Sequence, residues 1–98
     1  MTDLRISKKA DEDLYEIGLY TEDKWGREQR RHYLDEINHR LHLLAQDPDN
    51  PFSKDIGHIK AGCFALPIHK HFIIYRKLSH GVRVIRVLGQ VMDLERHL

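Results

Sequence analysis

Between residues 8 and 46 the apolar positions recur at steps of three and four. Ala10, Leu14, Ile17, Thr21 and Trp25 make one series, and Tyr33, Ile37, Leu41 and Leu44 make a second. That period belongs to a helix with one buried face. It predicts helices over about Lys8–Trp25 and Arg27–Gln46. Ser7 is placed to N-cap the first helix. Asp11, Glu12 and Asp13 fall in or near its first turns, where the helix dipole favours negative charge. Gly26 reads as its stop, and Pro48 and Pro51 end the second helix. So short a break between two amphipathic helices makes them an antiparallel hairpin.

The second half has a different rhythm. "DPDNPFSKDIG" is loop-like, rich in Pro, Asp and Asn. "CFALPIH" reads as a strand, with Pro67 near its end calling for an edge or a bulge. "HFIIYRKL" (71–78) and "VRVIRVL" (82–88) are stronger strands, joined by a hairpin loop of Ser79, His80 and Gly81. The unbroken apolar runs Ile73–Tyr75 and Val84–Leu88 mark central strands covered on at least one face. "DLRI" (3–6) is short enough for an edge strand. The predicted order is β-α-α-β-β-β. It is an α+β fold in one domain, 1–98, with an N-terminal αα-hairpin packed on a small, mainly antiparallel sheet.

Composition narrows the class. A chain of 98 residues with 41% hydrophobic and 32% charged residues fits a soluble globular domain, not a disordered one. No apolar run reaches the length of a membrane span, and the N-terminus has no secretory h-region. The single cysteine, Cys63, cannot form an internal disulfide and suits a reducing cytoplasm. A small residue in or near a strand is its expected role.

The net charge of +1 hides an asymmetry. Residues 1–50 carry eight Lys/Arg against twelve Asp/Glu, a net of −4; residues 51–98 carry eight against three, a net of +5. Such a chain suits partners of opposite sign on different faces. A nucleic-acid-binding domain is usually more basic overall. An acidic protein, or a protein already bound to DNA, fits at least as well.

Three groups of residues could carry function. Arg76, Arg83 and Arg86 lie on the two strands of one hairpin and could meet an acidic partner. Alternatively their stems cover apolar surface, or they pair with Asp93 or Glu95. Arg86 sits inside an apolar run and reads as structural, Arg83 as a contact residue. Tyr20 and Trp25, near the helix turn, are of types enriched at interface hot spots, although Trp25 also continues the buried series. His69 and His71 could face one side and share Zn²⁺, but a zinc site needs three or four ligands. No CxxC or HExxH supplies the others, so no metal or cofactor is expected.

The order and spacing of several words make a resemblance. They are "SKKADEDLYEIGLYTEDKWG", "REQRRHYLDEINHRLHLLAQDP", "HFIIYRK" and "VIRVLGQVMDLERHL". Together they resemble the ParE branch of the RelE/ParE superfamily, toxins of bacterial type II toxin–antitoxin pairs, over nearly the whole chain. RelE-like members cut messenger RNA on the ribosome, which needs a base, an acid and positive charge for the developing phosphorane. ParE-like members instead poison DNA gyrase. A RelE-type enzyme would carry lysines where this chain has Cys63, Ala65 and Pro67, and an arginine where it has Phe72. Its tail would hold Arg or a His-Tyr pair where this one reads "GQVM". His97 stands alone as an acid or base.

The resemblance therefore implies a cytoplasmic gyrase poison with no catalytic residues. It also implies a cognate, ParD-like antitoxin that binds through its C-terminal segment. Sequence-specific DNA binding by this chain alone and membrane association are not expected. The tail is expected to make contacts, with Met92, Asp93 and Arg96 as candidates. Two alternatives remain: a ribosome-dependent mRNA endonuclease using Arg83 and His97, or a non-toxic remnant that only binds the antitoxin.

Overall fold

The computed structural model describes residues 2–98. Its elements are β1 (Asp3–Ile6), α1 (Lys8–Trp25), α2 (Arg27–Gln46), β2 (Lys54–Asp55), β3 (Cys63–Ile68), β4 (His71–Leu78), β5 (Gly81–Gly89) and α3 (Leu94–His97). Both long helices run over the predicted ranges. The Ser7 side chain accepts from the Ala10 amide and caps α1. Gly26, at φ +94, closes α1 and opens α2 in one residue.

The sheet of the described residues has the order β1-β5-β4-β3-β2. All pairings are antiparallel except β1 with β5, which is parallel. Two elements were not expected. Lys54 and Asp55, inside the supposed loop, pair with Ala65 and Phe64 as β2. Residues 94–97 of the tail form α3, with the Asp93 carboxylate capping the Glu95 amide. Pro67 lies beyond the part of β3 that β2 covers, so its missing N–H leaves no ladder bond unmade. The β4–β5 turn is Ser79–His80; Gly81 already belongs to β5.

Alternation along the strands gives the sheet two buried faces. Leu66, Ile73, Tyr75, Val82, Val84 and Val87 pack under Ile17, Ile37, Leu41 and Leu44 of the helices. Cys63, Ala65, Ile74 and Leu88 point the other way, where Ile56 and Ile59 of the preceding loop and Leu94 and Leu98 of the tail cover them. Cys63 is fully buried there, as its expected structural role requires. A bulge between Ile74 and Tyr75 gives β5 one extra residue, Ile85. It resets the alternation so that Val84 and Val87 both face the helices.

The series on α1 ends sooner than expected. Ala10, Ile17 and Thr21 are buried, but Trp25 is 60% exposed. The helix runs one turn past its last core position, and Trp25 at the bend has the Tyr20 ring beside it in an edge arrangement at 6.3 Å. Thr21, a polar residue in the core, is satisfied by donating to the Ile17 carbonyl.

Candidate functional site

The outer face of the sheet carries an open hollow of about 410 Å³ beside the tail. Its floor is set by strand register. Within it Arg83 of β5 is level with Arg76 of β4, and Arg5 of β1, level with Arg83, continues the row beyond the lining residues. Their strand neighbours Leu4, Val82, Val84 and Tyr75 belong to the helix side, so the three arginines share the outer side. Like charges directly opposite one another destabilise a sheet. Arg76 and Arg83 are both exposed and have no ion-pair partner among the described residues. Lys8, Lys9, Lys60 and His97 complete the rim, and no Asp or Glu lines it.

Arg86 enters the same hollow but is engaged. Its Nε and Nη2 donate to the two oxygens of Asp13 on α1 at 2.8 and 2.9 Å. The expected partners Asp93 and Glu95 are not used. The hydrogen bond to Asp13 raises the Arg86 pKa above its ordinary value and outweighs burial, which acts the other way.

A second depression, of about 360 Å³, lies between the helical hairpin and the β3–β4 turn. Tyr20, Trp25 and Tyr33 give it an apolar wall, and His69 and His71 face it across the turn. The Tyr33 hydroxyl and His71 Nδ1 share a hydrogen bond of 2.7 Å. The two imidazole rings stand 5.6 and 5.8 Å from the Tyr33 ring, so they do face one side. Burial, and then the neighbouring His69, lower the His71 pKa. Burial raises that of Tyr33. Glu36 bonds His69 with one oxygen and His32 with the other, and its pKa is lowered, mainly by the hydrogen bond to His69. Among the described residues no group of three or more His, Cys, Asp or Glu is arranged to hold a metal ion.

Comparisons with known proteins agree with this fold. The sequence model of the family described as "ParE toxin of type II toxin-antitoxin system, parDE" matches residues 4–94. The chain belongs to the ParE toxin family. It is similar to "Toxin ParE1" of Caulobacter vibrioides, 32% identical over 98 residues, covering 100% of this chain and 99% of that one. It is similar to "Toxin ParE1" of Mycobacterium tuberculosis at 34% over 94 residues, covering 95% and 94%. The solved structure titled "Chromosomal ParDE TA system from P. aeruginosa" superposes with a TM-score of 0.78 at 18% identity, covering 91% of this chain and 96% of that chain, and shares its fold.

In this ParE-family chain the candidate residues fall into three places. Arg76, Arg83 and Arg86 meet in the basic hollow. Tyr20 and Trp25 lie in the aromatic depression. The tail is a third place: Val91 is fully exposed, and Arg96 is exposed. Met92 and Asp93 also have local duties. Met92 sulfur accepts from the Gly89 amide, and Asp93 caps α3.

Sequence reasoning missed Lys60 as a lining residue of the hollow, Arg5 as the neighbour of Arg83, and Asp13 as the partner of Arg86. Parallel pairing brings Arg5 beside Arg83, and the loop before β3 brings Lys60 over the sheet. Nothing in the local sequence around either residue signals that placement. Among the described residues, no helix is long and apolar enough to cross a membrane.

Proposed function

We propose that the protein is a gyrase-directed toxin of a type II pair. It holds DNA gyrase on cleaved DNA, and a cognate antitoxin neutralises it. In this reading residues 1–98 act as one domain in the cytoplasm, and the toxin turns over no substrate. The observation that carries it is similarity to curated ParE toxins along the entire chain. The outer sheet face supports it. Cys63, Ala65 and Phe72 pack into an apolar cluster where an RNA-cutting enzyme would need charged groups near the scissile phosphate. The exposed aromatics Tyr20 and Trp25, both 60% accessible, suit anchors for an antitoxin segment that folds as it binds.

The test uses plasmid, gyrase, ATP and purified chain, followed by detergent and protease. Linear DNA that requires both gyrase and the chain is expected. Unaltered gyrase activity with a folded chain that binds its antitoxin would remove the gyrase reading.

One observation favours a second reading. His97 lies in the same hollow as Arg83 and Arg76, so an acid or base stands near positive charge. A ribosome-dependent endonuclease would then give discrete cuts in translated mRNA, lost in His97→Ala.

A further inference from the structure

We propose that the basic hollow on the outer sheet face seats the sugar–phosphate backbone of duplex DNA, without reading sequence. The row Arg5–Arg83–Arg76 crosses three adjacent strands, and strands lie about 4.8 Å apart, so the guanidinium stems span about 10 Å. Lys8 and Lys9 also line the hollow, as does Lys60, whose Nζ donates to the Leu98 backbone oxygen at 3.4 Å. Arg76 is exposed, and its Nη1 lies beside Gly62, where an added Cβ would come within 3.3 Å of it. Asp13, the nearest carboxylate on α1, is already taken by Arg86, and Asp3 stands 4.0 Å from Arg5 at the far end of the row. Arg76 and Arg83 are therefore free to take an external anion.

Two features decide which anion. Beneath Arg76 and Arg83, β4 and β5 are paired on both sides, and beyond Val84 the Ser7 and Asp13 side chains occupy the β5 edge, so no free strand edge is offered to an extended peptide. Binding there must come from charge and from guanidinium forks, which match phosphate oxygens. No Phe, Tyr or Trp lines the hollow, and His97 at its rim is the one ring there, so successive unstacked bases of a single strand would find no row of platforms. A duplex meets both conditions, because it presents closely spaced phosphates and keeps its bases stacked. The inference does not depend on gyrase being the target, though it would give the chain its own hold on DNA in such a complex.

The experiment measures binding of a labelled, mixed-sequence DNA duplex to the full chain across a salt series. The wild type is compared with the double variant Arg76→Gln/Arg83→Gln and with Lys24→Gln/Arg27→Gln on the far side. Affinity should fall at least tenfold in the first variant. Its log–log salt slope should become shallower by about 1.8, for two lost phosphate contacts. The far-side variant should bind like the wild type. Removing two facing like charges should leave the thermal midpoint of the arginine variant unchanged or raised, which separates lost binding from lost folding. Unchanged duplex binding by the arginine variant overturns the proposal. So does tighter binding of poly-glutamate, which would make this a site for an acidic protein segment. Tighter binding of single-stranded RNA overturns it as well.

Discussion

Asp13 and Arg86 stand 73 positions apart in the chain and are joined by two hydrogen bonds. A third, from the Val87 amide to the same carboxylate at 3.0 Å, ties the pair to the backbone of β5. The reason lies in β1, whose four residues cover β5 only as far as Val84. Beyond that point Ser7 donates to the Ile85 carbonyl, and Asp13 accepts from Val87. Side chains from α1 thus take over the edge that the short strand leaves open, and they fix the helix to the sheet.

Arg86→Ala should therefore destabilise the fold strongly. The side chains are 18% and 14% exposed, so removing one leaves a largely buried carboxylate without its counter-charge. A loss of about 2–4 kcal/mol is expected, read from urea unfolding. Arg83→Ala, on an exposed position of the same strand, should cost less than about 0.5 kcal/mol.

Gly81→Ala should loosen β1. The backbone there has φ +145, and an added Cβ would lie 1.9 Å from the Asp3 carbonyl oxygen. Strain and collision act together, and a loss of roughly 2–4 kcal/mol is expected. Hydrogen exchange should show it first at residues 3–6 and 81–84, while the amides of α2 change little.

Acid should weaken the contact between α2 and the β3–β4 turn in two stages. The folded His71 pKa lies below its ordinary 6.5, so the fold favours neutral imidazole. Its contribution is complete above about pH 6.5 and is lost as pH falls through the lower folded value. Glu36 is also held below its ordinary 4.5, so its contribution is complete above that value and is lost in stronger acid. Thermal midpoints should be level near neutrality and fall from about pH 6.5 downward. His71→Gln should flatten the first stage and leave the second.

The tail should affect gyrase poisoning without affecting the fold, provided the right residues are changed. Leu94 and Leu98 cover the outer apolar cluster, so deleting residues 90–98 would expose it. Val91→Glu combined with Arg96→Glu changes only exposed positions. The double variant should keep its melting temperature within the shift of about 0.5 kcal/mol typical of surface changes and lose gyrase-dependent linear DNA. Full poisoning by this variant would show that the tail makes no contact with the target.

What could be read from sequence was whatever is periodic or continuous. The helices follow from their three-and-four spacing, and β4 and β5 from their apolar runs. β2 could not be read because both its residues, Lys54 and Asp55, are polar and exposed. α3 is a single turn, too short for a period to appear. The arginines were visible as residues but not as a row. Two features hide it: β1 joins β5 in parallel across most of the chain, and the bulge at Ile85 puts Arg83 and Arg86 in different surroundings. The partner of Arg86 was likewise invisible, since Asp13 reads locally as an ordinary helix-start carboxylate.

The pairing of β1 with β5 also sets an order of assembly. Ser7 bonds to Ile85, 78 positions away, so the first strand waits for the last before it has a neighbour. The αα-hairpin needs only local contacts and can form early in synthesis. Arg5 is made at the start, whereas Arg76 and Arg83 come near the end. A chain released from the ribosome before β5 would hold the helices and the exposed aromatics of the toxin. It would keep β2, β3 and β4 but lack the strand that joins β1 to them, and with Arg83 gone it would have no arginine row to grip an anion.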